Sequence, residues 1–234
     1  MLRRIKNLYH LLTAAGAVAF FRFPAGKLNM VGVTGTDGKT TTVHLIGEIL
    51  KKAGLKVAIV SSVGAWLGEK EIDTGFHVTT PDSWSLQKLL RQIVDLGFTH
   101  VVLEATSHGL DQYRLWGCNF QTGVVTNVTH EHLDYHGTWE NYLRAKAKLF
   151  SGVKVAVLNK DDKSFEYLDT KIQRYKDTKR VTYGIINKAD LTPKTFPFKT
   201  QLLGEYNLYN CLAAIGVAKS LGVKDRVIHE AIAN

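Results

Sequence analysis

Short apolar runs alternate along this chain with longer segments in which apolar residues recur every three or four positions. A short buried run is typical of a β-strand, and the longer period is typical of an α-helix with one face on a core. Strands are predicted at residues 30–33, 57–60, 100–103, 120–126, 153–158 and 181–183. Helices are predicted at residues 39–53, 81–96, 139–150, 163–175, 206–221 and 224–233. The alternation predicts an α/β fold, a mostly parallel sheet flanked by helices on both faces.

Residues that favour helix starts and helix ends stand at the boundaries of the first two of these helices. Gly54 ends the first, because glycine readily adopts the left-handed conformation that follows many helices. Thr80 and Pro81 open the second: Thr80 is expected to cap it, and Pro81 suits its first turn. Gly97 closes this second helix. Between the two helices, residues 64–77 carry a Gly-Glu-Lys turn among apolar residues, which predicts a hairpin.

The N-terminal residues combine a basic start with an apolar run. Arg3, Arg4 and Lys6 precede residues 11–21, a run that is too short to span a bilayer comfortably. The small-residue cleavage site of a signal peptide does not follow it. We therefore expect a helix that packs on the domain and ends at residues 24–26, without membrane contact. A helix lying on a membrane surface is the alternative.

Composition and charge narrow the class of protein. The 234 residues suffice for one large domain, or for a domain with an appendage, and 45% of them are hydrophobic. A net charge of +9 favours anionic partners such as nucleotide phosphates or a small acidic substrate. Nucleic acid is not expected as a partner, because no aromatic-plus-basic motif is present. Cys118 and Cys211 are too few for a disulfide scaffold or a zinc site, which favours a cytoplasmic location.

The clearest chemical signal is the stretch Val-Gly-Val-Thr-Gly-Thr-Asp-Gly-Lys-Thr-Thr-Thr between the first strand and the first helix. Gly35 and Gly38 permit a tight turn that directs backbone N–H groups at an anion, beside the positive end of the helix. Lys39 is placed to reach the outer phosphates of a nucleotide, and Thr40 to bind Mg²⁺. Val33 occupies the place of the first glycine in the usual nucleotide-binding loop, so an ordinary glycine-rich turn is the alternative.

Two further polar segments follow predicted strands. Glu104 stands at the end of a strand, where a carboxylate beside a phosphate loop can hold Mg²⁺; a solvated acid is the alternative. Residues 127–137 read Asn-Val-Thr-His-Glu-His-Leu-Asp-Tyr-His-Gly, which predicts a polar loop in the cleft. Zinc is disfavoured there, because no His-Glu-x-x-His helix is present. By its pattern alone, Lys146 is a surface lysine on an amphipathic helix.

These segments, in this order, resemble the Mur ligases, which are ATP-dependent amide-forming enzymes of peptidoglycan synthesis. The resemblance is greatest to the type that extends UDP-N-acetylmuramoyl-dipeptide to the tripeptide. It rests on Thr-Gly-Thr-Asp-Gly-Lys-Thr-Thr (34–41), Thr-Thr-Pro (79–81), Glu-Ala-Thr-Ser-His-Gly-Leu-Asp-Gln (104–112), the loop 127–137, Tyr-Leu-Arg-Ala-Lys (142–146) and Gly-Glu-Tyr-Asn-Leu-Tyr-Asn (204–210).

The resemblance implies roles for individual residues. It implies an ATP site with two Mg²⁺ ions, a carbamylated lysine at Lys146, and catalytic roles for Lys39, Glu104, His132 and Lys146. The residues implied to bind ATP are Gly35, Thr36, Asp37, Gly38, Lys39, Thr40 and Thr41, with Asn207 and Asn210 near the adenine. The implied metal ligands are Thr40 and Glu104 at the first ion, and His132 and Lys146 at the second. The implied contacts to the muramoyl-peptide are Thr79, Thr80, Thr106, Gln112 and Arg114. Thr106 and Glu131 depart from the family's usual serine and aspartate.

The resemblance also implies a domain organisation and an activity. Residues 1–27 are expected to be the remnant of a first domain and its linker, and residues 28–234 the ATP-binding central domain. The C-terminal ligase domain is expected to be absent, so the chain is either a fragment or a reduced member of the family. The implied reaction adds an amino acid to a UDP-MurNAc-peptide through an acyl phosphate. A partner-dependent, non-catalytic subunit and a ligase of the folylpolyglutamate or cyanophycin type are the alternatives.

Overall fold

The structure is a computed structural model that describes residues 2–72 and 80–233. The strands are β1 Asn29–Thr34, β2 Val57–Ser61, β3 Gly64–Leu67, β4 Lys70–Ile72, β5 His100–Glu104, β6 Thr122–Val125, β7 Val155–Asn159 and β8 Lys179–Tyr183. The helices are α1 Leu2–Phe20, α2 Lys39–Lys52, α3 Ser83–Asp95, α4 Ser107–Asp111, α5 Leu133–His136, α6 Trp139–Ala147, α7 Phe165–Ile172, α8 Glu205–Ser220 and α9 Asp225–Ile232. Short 3₁₀ turns occupy Pro24–Lys27 and Lys148–Phe150.

Within the described residues the strands form one eight-stranded sheet with the order β4-β3-β2-β5-β1-β6-β7-β8. The strands from β2 to β8 in this order pair in parallel, whereas β3 and β4 form an antiparallel hairpin at one margin. The α/β prediction is thereby confirmed. The predicted hairpin is present in residues 64–72, and its remainder lies outside the described residues. Both margins carry exposed charge, at Lys70 and Glu71 on β4 and at Lys179 and Arg180 on β8.

Helices cover both faces of the sheet because its central strands are apolar on both sides; all five residues of β2, for example, are buried. One face packs against α2, α8 and α9, and the other against α3, α6 and α7. Helix α8 is buried around almost its whole circumference from Cys211 to Ala218, and it is correspondingly apolar on all sides. Helix α8 thus brings Asn207 and Asn210 into the body of the domain.

The N-terminal helix packs on the domain, as predicted, but its bounds differ. Helix α1 begins well before the apolar run and ends at Phe20, ahead of the predicted stop at residues 24–26. It lies against α3 and buries Ala14, Ala17 and Val18. In the described part of the chain, no helix is both long enough and apolar enough to cross a membrane.

The predicted cap of α3 was wrong. The helix begins at Ser83, and the Asp82 side chain is its cap, accepting hydrogen bonds from the backbone N–H groups of Trp84 and Ser85. Pro81 therefore lies ahead of the first turn. The hydroxyl of Thr80 is engaged elsewhere, with the hydroxyl of Thr106 at 2.7 Å, so it is not available to the helix.

Candidate functional site

The candidate site lies where the carboxyl ends of four neighbouring parallel strands meet. The phosphate loop, residues 35–39, follows β1, which pairs with β5 on one side and β6 on the other. Glu104 ends β5. Residues 127–137, here called the histidine-containing loop, follow β6, and the aspartate pair Asp161 and Asp162 follows β7. Ligands of open parallel sheets bind in such a crevice at the carboxyl edge. We refer to this crevice as the cleft.

Two glycines of the phosphate loop are required by close approach. A Cβ atom on Gly35 would overlap the hydroxyl of Thr126, and one on Gly38 would overlap the side-chain oxygen of Asn210. Gly38 also adopts a left-handed conformation, with φ of 77°. At these two positions the loop backbone passes so close to its neighbours that a side chain is excluded, as in a cradle for phosphate groups.

Side chains from the segment after β6 fix the phosphate loop. The carbonyl of Asn127 accepts a hydrogen bond from the Thr36 N–H at 2.8 Å, and its side-chain oxygen accepts one from the Asp37 N–H at 3.0 Å. Thr126 donates from its hydroxyl to the carbonyl of Asp37 at 2.6 Å. Thr36 itself contacts the hydroxyl of Tyr142 at 3.2 Å. The loop is therefore held in one conformation before any ligand arrives.

Thr40 and Glu104 lie side by side at the start of α2. The Thr40 hydroxyl donates to Glu104 Oε2 at 2.9 Å, and the backbone N–H of Ser62 donates to the same oxygen at 3.1 Å. Lys39 Nζ lies 3.9 Å from Glu104 Oε1 and donates to the Thr36 carbonyl at 2.7 Å. Glu104 is buried, so it is not the solvated acid that was the alternative. A hydroxyl and a carboxylate in contact form a donor set that suits Mg²⁺.

Lys146 is buried rather than on the surface, so the interpretation from its pattern alone was wrong. Its side chain is 1% exposed, and Nζ donates to the carbonyl of Gly35 and lies 4.4 Å from the centre of the Tyr142 ring. Burial, followed by the nearby charge of Lys39, holds the pKa of Lys146 well below its ordinary value. An amine in this setting is more readily neutral, and therefore more nucleophilic, than a surface lysine.

The His132 ring lies near the Tyr142 ring, with 6.2 Å between the two ring centres. Its backbone is left-handed, with φ of 54°, and half of its side chain is exposed. The ring also contacts that of His108 at 4.9 Å. Among the described residues, no three His, Cys, Asp or Glu side chains are grouped closely enough to hold a metal ion. The second metal site therefore stays a prediction.

Three of the residues implied to bind a muramoyl-peptide form one contact group. Thr106 caps α4 by accepting a hydrogen bond from the Gly109 N–H, while Thr80 contacts the Thr106 hydroxyl. Arg114 donates to the carbonyl of Thr80 at 2.9 Å. Gln112 is separate from this group and donates to the hydroxyl of Tyr135 at 3.1 Å. Thr79 lies outside the described residues.

The two asparagines implied to lie near adenine adjoin the phosphate loop. Asn210 accepts a hydrogen bond from the Thr42 hydroxyl at 3.3 Å and donates to the Asn207 side chain at 3.0 Å. Asn207 donates in turn to the carbonyl of Leu203. Thr41 points elsewhere, into a separate cavity of about 680 Å³ that also borders Thr40.

An aspartate pair that the sequence analysis missed braces two walls of the cleft. Asp161 accepts hydrogen bonds from the N–H groups of residues 185–187, at 2.6 to 2.8 Å, and from the hydroxyl of Tyr209 on α8. These bonds outweigh partial burial and lower the pKa of Asp161 to about 2. Asp162 accepts a hydrogen bond from the backbone N–H of Val128, near the start of the histidine-containing loop. The signal in the sequence was two acids directly after a buried strand.

Comparison with known proteins agrees with this geometry. The sequence profile of the Mur ligase middle domain matches residues 33–218. A UDP-N-acetylmuramoyl-L-alanyl-D-glutamate–2,6-diaminopimelate ligase of Geobacillus thermodenitrificans is 38% identical over 93% of this chain and 49% of its own length. UDP-N-acetylmuramyl-tripeptide synthetase 2 of Oceanobacillus iheyensis is 38% identical over 90% of this chain and 48% of its own. The chain thus spans about half the length of these curated relatives.

Solved structures give the same result. A UDP-N-acetylmuramoyl-L-alanyl-D-glutamate–2,6-diaminopimelate ligase superposes with a TM-score of 0.80 and 32% identity, over 88% of this chain and 46% of the other. MurF of Acinetobacter baumannii, at 18% identity and a TM-score of 0.73, shares the fold over 94% of this chain and 49% of its own. The profile match covers most of the strands that build the cleft and the helix that carries both asparagines. By this match, the chain belongs to the Mur ligase family and corresponds to its middle domain.

Proposed function

We propose that this chain is the ATP-binding part of a ligase that adds an amino acid to a UDP-MurNAc-peptide in peptidoglycan precursor synthesis. The observation that carries the proposal is the contact between Thr40 and Glu104 beside a loop that has no room for a side chain at either of its two glycines. Both curated relatives named above are, by their printed names, enzymes that act on such muramoyl-peptides. The chain itself supplies the nucleotide side of that chemistry.

The proposed reaction has two steps. A substrate carboxylate attacks the γ-phosphorus of ATP, the bond to ADP breaks, and an acyl phosphate forms. The amine of the incoming amino acid then attacks the acyl carbon, inorganic phosphate leaves, and the amine loses a proton as the amide forms. Lys39 and the loop N–H groups are positioned to stabilise the charge on the transferred phosphoryl group, which is the main demand of such chemistry.

The residues present fit the expected magnesium at the first site. Thr40 and Glu104 offer oxygen ligands, and bound Mg²⁺ would neutralise charge on the phosphates. For the second site we propose His132 and Lys146 as ligands. As a free amine, Lys146 donates a hydrogen bond and does not coordinate. Addition of CO₂ to that amine, with release of a proton, would convert it to a carbamate with anionic oxygens, and the lowered pKa of Lys146 favours this reaction.

The muramoyl-peptide is proposed to bind beside Glu104, on the segments that carry Thr79, Thr80, Thr106, Gln112 and Arg114. Thr80, Thr106 and Arg114 already lie in contact, which supports a common role. Asn207 and Asn210 are proposed to face the adenine. We further propose that residues 28–234 form the ATP-binding unit and residues 1–27 the linker before it, and that the protein works in the cytoplasm, where ATP and reduced thiols are available.

Binding of ATP tests the part of the proposal that rests on this chain alone. Calorimetry with ATP and MgCl₂ is expected to give saturable binding to the wild-type chain and much weaker binding to Lys39→Ala. Lys51→Ala is the matched control, because Lys51 is at the far end of the same helix and pairs with Glu48. Absence of ATP uptake by the wild-type chain would overturn the proposal.

Ligation is tested by phosphate release with ATP, UDP-MurNAc-dipeptide and each candidate amino acid. We expect weak turnover by these 234 residues and higher turnover when they are joined to the C-terminal half of the Oceanobacillus iheyensis relative. In that joined protein, Lys146→Ala should abolish turnover, and added short carboxylates should restore part of it. Unchanged turnover in this variant would remove Lys146 from the site.

A further inference from the structure

A second cavity, of about 580 Å³, lies away from the cleft. It is bordered by the segment between α4 and β6, by the end of α6 and by α7. Phe120 and Ser151 line it just before β6 and β7 begin, which places the cavity toward the amino ends of these strands. The phosphate loop is at the carboxyl ends. A cavity of this size is in the range of small-molecule sites.

Aromatic rings dominate the walls of this cavity. Three of them, Tyr113, Phe120 and Tyr167, are partly buried. The others are Phe150, which is buried, and Trp116 and Tyr175, which are each 42% exposed. Large aromatic side chains are normally buried or engaged at binding sites, because their faces gain much of their free energy by leaving water. The cavity therefore offers flat apolar surfaces on which a planar ring can stack.

Positive charge accompanies the rings. Arg144 and Lys148 reach the cavity from the end of α6, and Lys171 from α7. Lys148 Nζ is 5.0 Å from the centre of the Tyr113 ring and also pairs with Asp111 at 2.9 Å. None of the described residues that line the cavity is an aspartate or a glutamate. The lining therefore favours an anion.

The backbone of the segment after α4 is unusual for its sequence. Tyr113 and Asn119 have positive φ values of 55° and 45°, and Gly117 between them has 81°. A bulky residue such as tyrosine adopts this conformation only at an energetic cost. Tyr113 and Trp116 both belong to this segment and line the cavity, and strained backbone is concentrated at ligand sites.

We propose that this cavity binds a small anion with a planar aromatic ring, the ring against Trp116 and the anionic group near Arg144 and Lys171. The anionic group is a phosphate or a carboxylate, since both have the charge that the lining favours. The site is independent of the proposed nucleotide function, because it shares no lining residue with the phosphate loop. It is nonetheless linked to that loop through α6, which carries Lys146 between Arg144 and Lys148.

Phenyl phosphate and benzoate are the probes that test this proposal. Titration of the ¹⁵N-labelled chain is expected to shift the indole N–H signal of Trp116 saturably with at least one of the two probes. The remaining three of the four tryptophans serve as internal references. The Trp116→Phe variant assigns the signal. The relative affinities of the two probes then identify the preferred anionic group.

Two double variants and one matched ligand test whether charge and a flat ring are both required for binding. Arg144→Ala/Lys171→Ala should weaken binding roughly fivefold or more, because both cations nearest the anion are lost. Lys51→Ala/Lys88→Ala, with the same loss of charge elsewhere, should leave it unchanged. Cyclohexyl phosphate, which has the charge without the flat ring, should bind roughly threefold more weakly than phenyl phosphate.

Three results would overturn the proposal. The first is the absence of a saturable shift at Trp116 with both probes. The second is equal affinity for phenyl and cyclohexyl phosphate. The third is loss of the Trp116 shift in Lys39→Ala, which would place the probe in the phosphate loop. Conversely, a chain that fails to bind ATP but still binds phenyl phosphate would refute the proposed function and leave this site intact.

Discussion

On the proposed nucleotide side of the cleft, side chains from several distant segments hold the phosphate loop and its neighbours, whereas on the proposed substrate side the residues hold mainly one another. Asn127 and Thr126 bond to the loop backbone, and Asp161 and Asp162 fix the segments around it. The proposed substrate side is the group Thr80, Thr106 and Arg114, joined by three hydrogen bonds: two between the threonines and one from Arg114 to the Thr80 carbonyl.

The difference teaches how one cleft can serve two kinds of ligand. Phosphate groups are the same in every turnover, so a backbone cradle fixed in advance loses little entropy when they bind. Among the described residues, the proposed substrate side is held by fewer hydrogen bonds, so its geometry is expected to depend more on the ligand. Variants on the two sides should therefore affect affinity and stability unequally.

The largest effect is expected from removal of the phosphate-loop cation. Lys39→Ala should lower ATP affinity about 100-fold, or about 2.7 kcal/mol, because Lys39 Nζ lies beside Glu104 and supplies the positive charge placed to reach the outer phosphates. Calorimetric titration at fixed ionic strength measures the change. A loss below about fivefold would mean that the backbone cradle, rather than the lysine, supplies most of the affinity.

The second largest effect is expected from removal of the Asp161 carboxylate. Asp161→Ala should lower the free energy of unfolding by about 2 kcal/mol, because three backbone N–H groups and the Tyr209 hydroxyl lose their acceptor. Urea denaturation measures this, and ATP affinity should fall with it. Asp169→Ala is the matched control: it removes an ion pair with Arg180 and a hydrogen bond from Gln173, both exposed partners, and should change stability by less than about 1 kcal/mol.

The same carboxylate gives a smaller, pH-dependent effect. Its pKa of about 2 lies below the ordinary 3.8, so its contribution to stability is complete above about pH 4 and is lost as the pH falls toward 2. The stability difference between wild type and Asp161→Asn should narrow from pH 5 to pH 3. A difference that stays constant over this range would show that charge on Asp161 does not matter.

The smallest effect is expected on the substrate side. Thr80→Val keeps the shape of the side chain but removes its hydrogen bond to Thr106, so stability should fall by about 1 kcal/mol. In the joined, active protein the variant should raise KM for the muramoyl-peptide and leave ATP affinity unchanged. If ATP affinity fell as much in Thr80→Val as in Asp161→Ala, the nucleotide and substrate sides of the cleft would not be energetically separable.

Local patterns in the sequence predicted most of the fold and the centre of the site. Apolar runs located the parallel strands, and the glycines with Lys39 located the phosphate loop, because both signals depend on neighbours in the chain. Glu104 was placed correctly at a strand end. These features needed no knowledge of how distant segments meet.

Other features depended on contacts between distant segments and were missed. Lys146 is buried because α6 packs against a loop more than a hundred residues earlier, and helical periodicity cannot reveal such a partner. Thr80 was assigned as a cap because its competing contact with Thr106 is 26 residues away. The role of Asp161 required knowing that residues 185–187 return to β7. The metal and substrate roles stay predictions.

The charged margins of the sheet have a consequence for handling the protein. Strands at an open margin expose unpaired N–H and C=O groups that can template association with another chain. Here one margin is the three-residue β4 with Lys70 and Glu71, and the other begins with Lys179 and Arg180. Burying such charges against a second molecule is unfavourable, so we expect the charges to oppose edge-to-edge association at the concentrations that calorimetry and NMR require.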